Sequence, residues 1–262
     1  MIKVLFFGDI FGRSGRTIVK AELFALKKEF KADFCIANCE NIASGRGITE
    51  KTVKELFEAG IDAFTGGNHL WDKKEGITYL NKEKRIAKPL NYPEAALGSP
   101  WYILEKNPTE KLAIICLTGQ VFMQPCDSPF SVIDRYLPLI QKDTKAILID
   151  FHAEATGEKR TLGFYLDGKV SAVLGTHTHI QTADEEILPS GTAYISDVGM
   201  NGAHDSIIGV KKELILQKTR TGMPIRFEPA TTGNQINAVM VEIDPESGKA
   251  REIIRIRRKL DY

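Results

Sequence analysis

Short apolar runs in this chain end repeatedly on Asp, Glu, Asn or His. Gly8-Asp9 closes a run over residues 2–8, Asn38-Cys39-Glu40-Asn41 closes a second over 32–38, and Gly66-Gly67-Asn68-His69 follows a third over 61–65. Asp150-Phe151-His152 and Gly175-Thr176-His177-Thr178-His179 repeat the pattern further along. Runs this short, rich in β-branched and aromatic residues, read as strands. A layered α/β protein exposes polar residues at strand ends while its core holds them rigid. One sequence feature therefore constrains the fold and a site together.

Between these runs the period changes to that of helices, over residues 14–30, 50–59, 72–81 and 131–141, the last in spite of Pro138. Thr49 is placed to cap the helix that Gly60 then closes. Further strands are expected over 101–106, 112–118, 145–151, 170–175, 192–196, 237–243 and 251–257. The last two would form a hairpin through Asp244-Pro245-Glu246-Ser247-Gly248. The reading is an α/β chain with mixed sheets and more strand towards the C-terminus. No repeat, low-complexity tract or linker divides it, so one domain over 1–262 is expected. Residues 81–100, with Pro89, Pro93, Gly98 and Pro100, are the most loop-like and could shape one wall of a site.

Composition narrows the function classes. The 35 basic and 34 acidic side chains leave a net charge of +1, so no global field attracts a nucleic acid backbone or an anionic membrane. No apolar run approaches the ~20 residues that span a bilayer, and the N-terminal run leads into Gly8-Asp9 without a cleavage signal. Cys35, Cys39, Cys116 and Cys126 form no C-x-x-C pair and read as small buried residues of a reducing, cytoplasmic protein. A nucleotide-binding P-loop is excluded because G-x-x-x-x-G-K-[ST] does not occur.

Four of the five histidines lie in the strand-end positions. In an extended or turning backbone alternate side chains share a face, so His177 and His179 can converge on one site or divide between two ions. Carboxylate, amide oxygen and imidazole without thiolate suit borderline first-row ions in an open, reactive site rather than a structural zinc site. Each piece alone has an ordinary reading, as a helix cap, a solvated turn or a core histidine; their joint occurrence in this order favours the site. Arg13 and Arg16 either bind phosphate or lie on a helix surface. Arg255, Arg257, Arg258 and Lys259, interleaved with Ile254 and Ile256, read as one half-exposed strand.

In this order the segments resemble the calcineurin-like metallophosphoesterase superfamily, whose usual pattern is D-x-H, G-D, G-N-H-[DE], H and G-H-x-H. Phe11 stands where that pattern has the His of D-x-H, and Glu40 where it has the bridging Asp. With Asn41 as the substitute ligand, the chain is similar to the YmdB-type branch, the bacterial 2′,3′-cyclic-nucleotide 2′-phosphodiesterases. The resemblance implies a four-layer αββα sandwich of two mixed sheets. It implies one metal held by Asp9, Asn41 and His179, a second by Asn68, His152 and His177, and Glu40 bridging both. It associates the branch with iron, with manganese or other divalent ions as alternatives.

Metals about 3.5–4 Å apart share a water, lower its pKa and clamp phosphoryl oxygens. The resemblance gives His69 the role of general acid, handing a proton to the departing 2′ oxygen. Asp150, Thr176, Thr178 and Asp197 are candidates for orienting the histidine rings. The expected partner is a small cyclic nucleotide, with RNA ends as a further candidate, no membrane, and association into a homo-oligomer. A phosphomonoesterase, a nuclease or a regulatory nucleotide- or RNA-binding protein are the alternatives on the same scaffold.

Overall fold

The computed structural model describes residues 1–260, so residues 261 and 262 of the domain expected over 1–262 lie outside the described residues. The chain begins β1 (Ile2–Phe7), α1 (Gly12–Glu29), β2 (Phe34–Asn38), α2 (Glu50–Ala59), β3 (Ala63–Thr65), α3 (Lys74–Leu80) and β4 (Ile86–Ala87). It continues β5 (Trp101–Asn107), β6 (Glu110–Thr118), α4 (Pro129–Ile140), β7 (Ile147–His152), α5 (Thr156–Tyr165) and β8 (Ala172–Thr176). The last part is β9 (Glu186–Ile187), β10 (Ala193–Ile195), β11 (Gly202–Ala203), α6 (Lys212–Thr221), β12 (Asn234–Ile243) and β13 (Ala250–Lys259).

These strands make two mixed sheets. One runs β11-β12-β1-β2-β3-β4 with β13 on the far side of β12; β1 to β4 are parallel, and β12 is antiparallel to β1. The other runs β5-β6-β7-β8-β10-β9, parallel from β6 to β10 with antiparallel strands at both edges.

Period-two alternation along β1 shows how the layers stack. Leu5 and Phe7 pack under α1 and α2, with Ile18, Leu23, Val53 and Leu56, whereas Val4 and Phe6 face the second sheet, meeting Ile114, Leu148 and Leu174. On that sheet's outer side Ile115, Ile149 and Phe151 pack against Ile133 and Leu137 of α4 and Leu162 of α5. The order is helices, sheet, sheet, helices, which is the four-layer architecture the resemblance implies. Strands covered on both faces read as near-continuous apolar runs, and this is why the sequence shows them so plainly.

Thr49 caps α2 as expected, accepting a hydrogen bond from the Thr52 N–H, and Gly60 ends it in the left-handed region at φ 112°. Two helices escape the sequence reading. α5 carries Gly157 and Gly163, which interrupt its apolar stripe, and α6 buries none of its residues. Residues 81–100 hold the short β4, and Lys88, Leu90, Tyr92 and Pro100 line a cavity separate from the strand-end cluster. The wall expected there belongs to that second cavity. Cys35, Cys39 and Cys116 are buried, while Cys126 is only partly so. Among the described residues no helix is long and apolar enough to cross a membrane.

Gly163 lets α5 lie close to the second sheet: a Cβ there would come 2.6 Å from the Tyr194 ring. Helix propensity alone would make Gly163→Ala stabilising by up to ~1 kcal/mol, whereas overpacking costs about 1–3 kcal/mol. We expect a net loss of about 1 kcal/mol, seen as a lower urea midpoint at unchanged slope. A higher midpoint would show that propensity wins.

Candidate metal centre

The carboxyl ends of strands from both sheets meet at one place. β1 delivers Asp9, β2 Glu40 and Asn41, β3 Asn68, β7 His152, and the turn after β8 His177 and His179. His152 Nε2 lies 3.0 Å from Asn68 Oδ1, 3.0 Å from His177 Nδ1 and 3.2 Å from Glu40 Oε1. Beside it, the Asn41 amide nitrogen lies 3.2 Å from the same Glu40 oxygen, 3.4 Å from Asp9 Oδ1 and 3.3 Å from His179 Nε2. Glu40 therefore stands between two groups of donors. Asp9, Glu40, Asn41, His152 and His179 are buried.

Whether a cation fits can be read from the donors themselves. Three electron-rich atoms crowd one ring nitrogen of His152, and a single proton on that nitrogen can serve only one of them well. Oxygen and imidazole donors without thiolate suit borderline divalent ions. Space has been kept as well: a Cβ on Gly67 would sit 2.2 Å from Glu40 Oε2 and 2.6 Å from His152 Nε2. Among the described residues Glu40, His152 and His177 offer ligand atoms that all lie within 4.8 Å of one another. Asn41 faces the cluster with its amide nitrogen, so offering its oxygen to a cation requires turning the amide over.

The buried groups also set one another's charge. Burial pushes the Glu40 carboxyl up, but His152 and the His69 N–H outweigh it and hold it at about 2. Burial disfavours charge on His152, yet Glu40 and Asp9 raise it to about 9. His177 is pushed down to about 3 by burial and by the neighbouring His152, so it stays neutral with a lone pair to offer. Burial raises Asp9 in spite of His179 and His152.

The His-Thr-His unit converges for a reason other than strand alternation. β8 stops at Thr176, and His177 (φ 96°) and His179 (φ 68°) both lie in the left-handed region. Each such residue costs about 1–3 kcal/mol and persists only where its surroundings hold it. Here the His177 N–H donates to Asp9 Oδ2 at 3.1 Å, and His179 Nδ1 is 2.9 Å from the Ile208 carbonyl. Asp197 Oδ2 accepts from the Thr178 N–H at 3.0 Å, the Thr178 hydroxyl at 2.8 Å and Lys159 Nζ at 2.7 Å. Lys159 also donates to the Thr176 carbonyl at 2.8 Å. Behind His152, the ring Nδ1 meets the Thr176 hydroxyl at 2.9 Å, which donates to Asp150 Oδ1 at 2.6 Å.

His69 lines, with Glu40, Asn41, His177 and His179, a cavity at these strand ends and is tied in twice. Its N–H donates to Glu40 Oε2 at 2.8 Å, and its ring Nδ1 lies 2.9 Å from Asp72 Oδ2, a carboxylate that also holds Arg46 Nε at 2.7 Å. Sequence reading passed over Asp72, although a spacing of three residues on a turn brings side chains together. It also passed over Glu154, 3.2 Å from His177 Nε2, and Lys159, which reads as an ordinary surface charge of an unrecognised helix. Arg16 does not face the site: its Nε pairs with Glu55 at 2.9 Å and its Nη1 donates to the Ile42 carbonyl.

The Lys159–Asp197 pair is almost wholly buried, with 3% and 2% of the side chains exposed. Removing one partner of such a pair leaves the other charge stranded, at a cost of about 3–5 kcal/mol. Asp197→Ala should lose about that much in urea denaturation and release the strained turn; a loss below about 1 kcal/mol would show that the pair does not hold it.

Known proteins resemble the chain over nearly its whole length. Residues 5–256 match the family described as YmdB-like protein. A Bacillus subtilis (strain 168) relative named 2′,3′-cyclic-nucleotide 2′-phosphodiesterase is 45% identical over 255 residues, 97% of this chain and 96% of its own. A Mycoplasma pneumoniae relative named putative phosphatase/phosphodiesterase is 36% identical over 264 residues, 97% of this chain and 93% of its own. Among solved structures, a hypothetical protein from Thermus thermophilus superposes with a TM-score of 0.92 at 38% identity, covering 98% of this chain and 99% of the other. A Mycoplasma pneumoniae protein titled a novel phosphatase gives 0.93 at 35%, covering 98% and 93%. The chain belongs to the YmdB-like protein family.

Proposed function

We propose that this chain is a metal-dependent phosphodiesterase that opens 2′,3′-cyclic nucleotides to nucleoside 3′-monophosphates. The observation that supports it most is the meeting of donor side chains from both sheets around Glu40, in a chain similar to a relative named for that activity. Asp9, Asn41 and His179 would hold one ion and Asn68, His152 and His177 the other. Glu40, one of whose oxygens lies 3.2 Å from both Asn41 Nδ2 and His152 Nε2, would serve both ions. Iron is the ion proposed, and the donor set also admits manganese or other divalent ions. When bound, the ions would neutralise charge on the phosphoryl group and acidify a water.

The chain's own part is proton transfer and orientation. A water oxygen forms a new bond to phosphorus as the P–O bond to the 2′ oxygen breaks, and that alkoxide leaves poorly without a proton. His69 is tethered beside Glu40 through its backbone, and with Asp72 at its Nδ1 the other ring nitrogen is the one that hands over the proton. Arg46 brings positive charge to the cavity lining, where the phosphate would sit. Asp150 and Thr176 keep His152 in one orientation with Nε2 towards the cluster. We place this activity in the cytoplasm, since cysteines free of disulfides suit a reducing compartment.

Metal content and turnover of 2′,3′-cyclic AMP on one purified sample test the reading. The wild type should hold about two ions, as two-metal chemistry requires, and yield 3′-AMP by chromatography. His69→Ala should keep its ions and lose about 10²–10⁴ in kcat, whereas Glu40→Gln should lose ions and activity together. A loaded wild type that opens no cyclic nucleotide would sink the substrate assignment, and full turnover by His69→Ala would sink the acid.

A further inference from the structure

The cavity beside the strand ends has a volume of about 780 Å³, far more than a phosphate needs. Its lining divides by origin. The strand-end loops supply Glu40, Asn41, His69, His177 and His179, whereas the segment over residues 206–230 supplies Ile208, Val210, Ile215, Ile225 and Phe227. The one charged side chain that this segment adds is Glu228, and it is paired with Lys211 at 2.6 Å. Ile208 and Phe227 remain 50% and 43% exposed, an apolar surface facing an open cavity.

Phe11 joins the two halves. Its ring meets His179 edge to face, with centroids 5.5 Å apart, and lines the cavity. Two glycines in the left-handed region make room for it: a Cβ on Gly45 (φ +85°) or Gly209 (φ +97°) would come 2.7 Å from the ring. The backbone thus comes close at two places to an aromatic residue that stands where the usual motif has a ligand. Phe227 is held from the helix side by the Lys218 ammonium, 4.7 Å from its ring centroid.

We infer that this apolar half, with Phe227 and Phe11 as its aromatic elements, is a nucleobase site that reads no base identity. The inference rests on the phosphodiesterase reading, since a nucleotide is the ligand whose anionic end suits the donor cluster and whose flat, apolar end suits this wall. A site that recognises one base needs hydrogen-bonding side chains placed against its edge. In the lining that this segment supplies, the one such side chain is Glu228, already engaged by Lys211, while Ser44, Arg46, Glu154 and Thr178 line the strand-end half, so large discrimination is forgone. Stacking and burial remain, and these act on every base because each has a π face.

Calorimetric titration with adenosine, guanosine, cytidine and uridine 3′-monophosphates, and with ribose 3-phosphate as the base-free control, tests it independently of turnover. The four nucleotides should bind within about tenfold of one another, and each about tenfold or more tighter than the control, the gain expected of one stacked base. Phe227→Ala should collapse the difference between nucleotide and control, and Phe227→Tyr should restore it. The inference is overturned if the base adds no affinity, if one base binds about a hundredfold tighter than the rest, or if Phe227→Ala keeps the gain. Tighter binding of all four nucleotides than of the control, without hydrolysis, would keep the base site and discard the phosphodiesterase reading; hydrolysis with no affinity gained from the base would do the reverse.

Discussion

Two sheets packed face to face exclude water, yet their carboxyl ends must carry carboxylates, amides and imidazoles to within a few ångströms of one another. A buried polar group without a partner costs several kcal/mol, so this arrangement stands only if nearly every polar atom beneath it is satisfied. Asp150 shows how that is done. From β7 of one sheet it accepts hydrogen bonds from Thr65 at 2.5 Å and Asn38 at 2.9 Å of the other sheet, and from Thr176 at 2.6 Å of its own. Burial pushes its carboxyl up to about 6 even with His152 and these three donors pulling it down. One acidic side chain thus ties the two sheets together directly below the histidines.

A second arrangement of the same kind lies on the other flank, where Lys159 and Asp197 hold the turn after β8. Both networks place their charge behind the histidine-bearing strands rather than in the cavity. The rings are therefore oriented from the core outwards, and the cavity is left to the ligand. Phe11 fits the same division: it contributes shape and apolar surface beside the His179 ring.

Much of this was legible in the sequence because the strands are buried on both faces. The runs ending at Asp9, Asn38 and His152 leave little room for another reading, and the polar residues after them mark the ends of parallel strands. What could not be read has physical causes. α5 has glycines at 157 and 163, and α6 buries nothing, so neither leaves a stripe of helical period. The His-Thr-His unit looks like a strand on paper, and only the structure shows two left-handed residues held by side chains far away in sequence. Lys159 is one lysine among many until its ammonium is seen buried against Asp197. The basic alternation over Arg255 to Lys259 was read correctly as strand, and its charge is partly neutralised, Arg255 by Glu185 and Arg258 by Glu29.

The hydrogen bond from His179 Nδ1 to the carbonyl of Ile208 joins the cavity's two halves mechanically. Ile208 belongs to the apolar segment, and His179 to the donor cluster. A ligand bulky enough to push that segment outwards would therefore draw an imidazole with it and disturb the proposed centre. An inhibitor built to crowd the apolar segment would act as a lever on the centre without touching it.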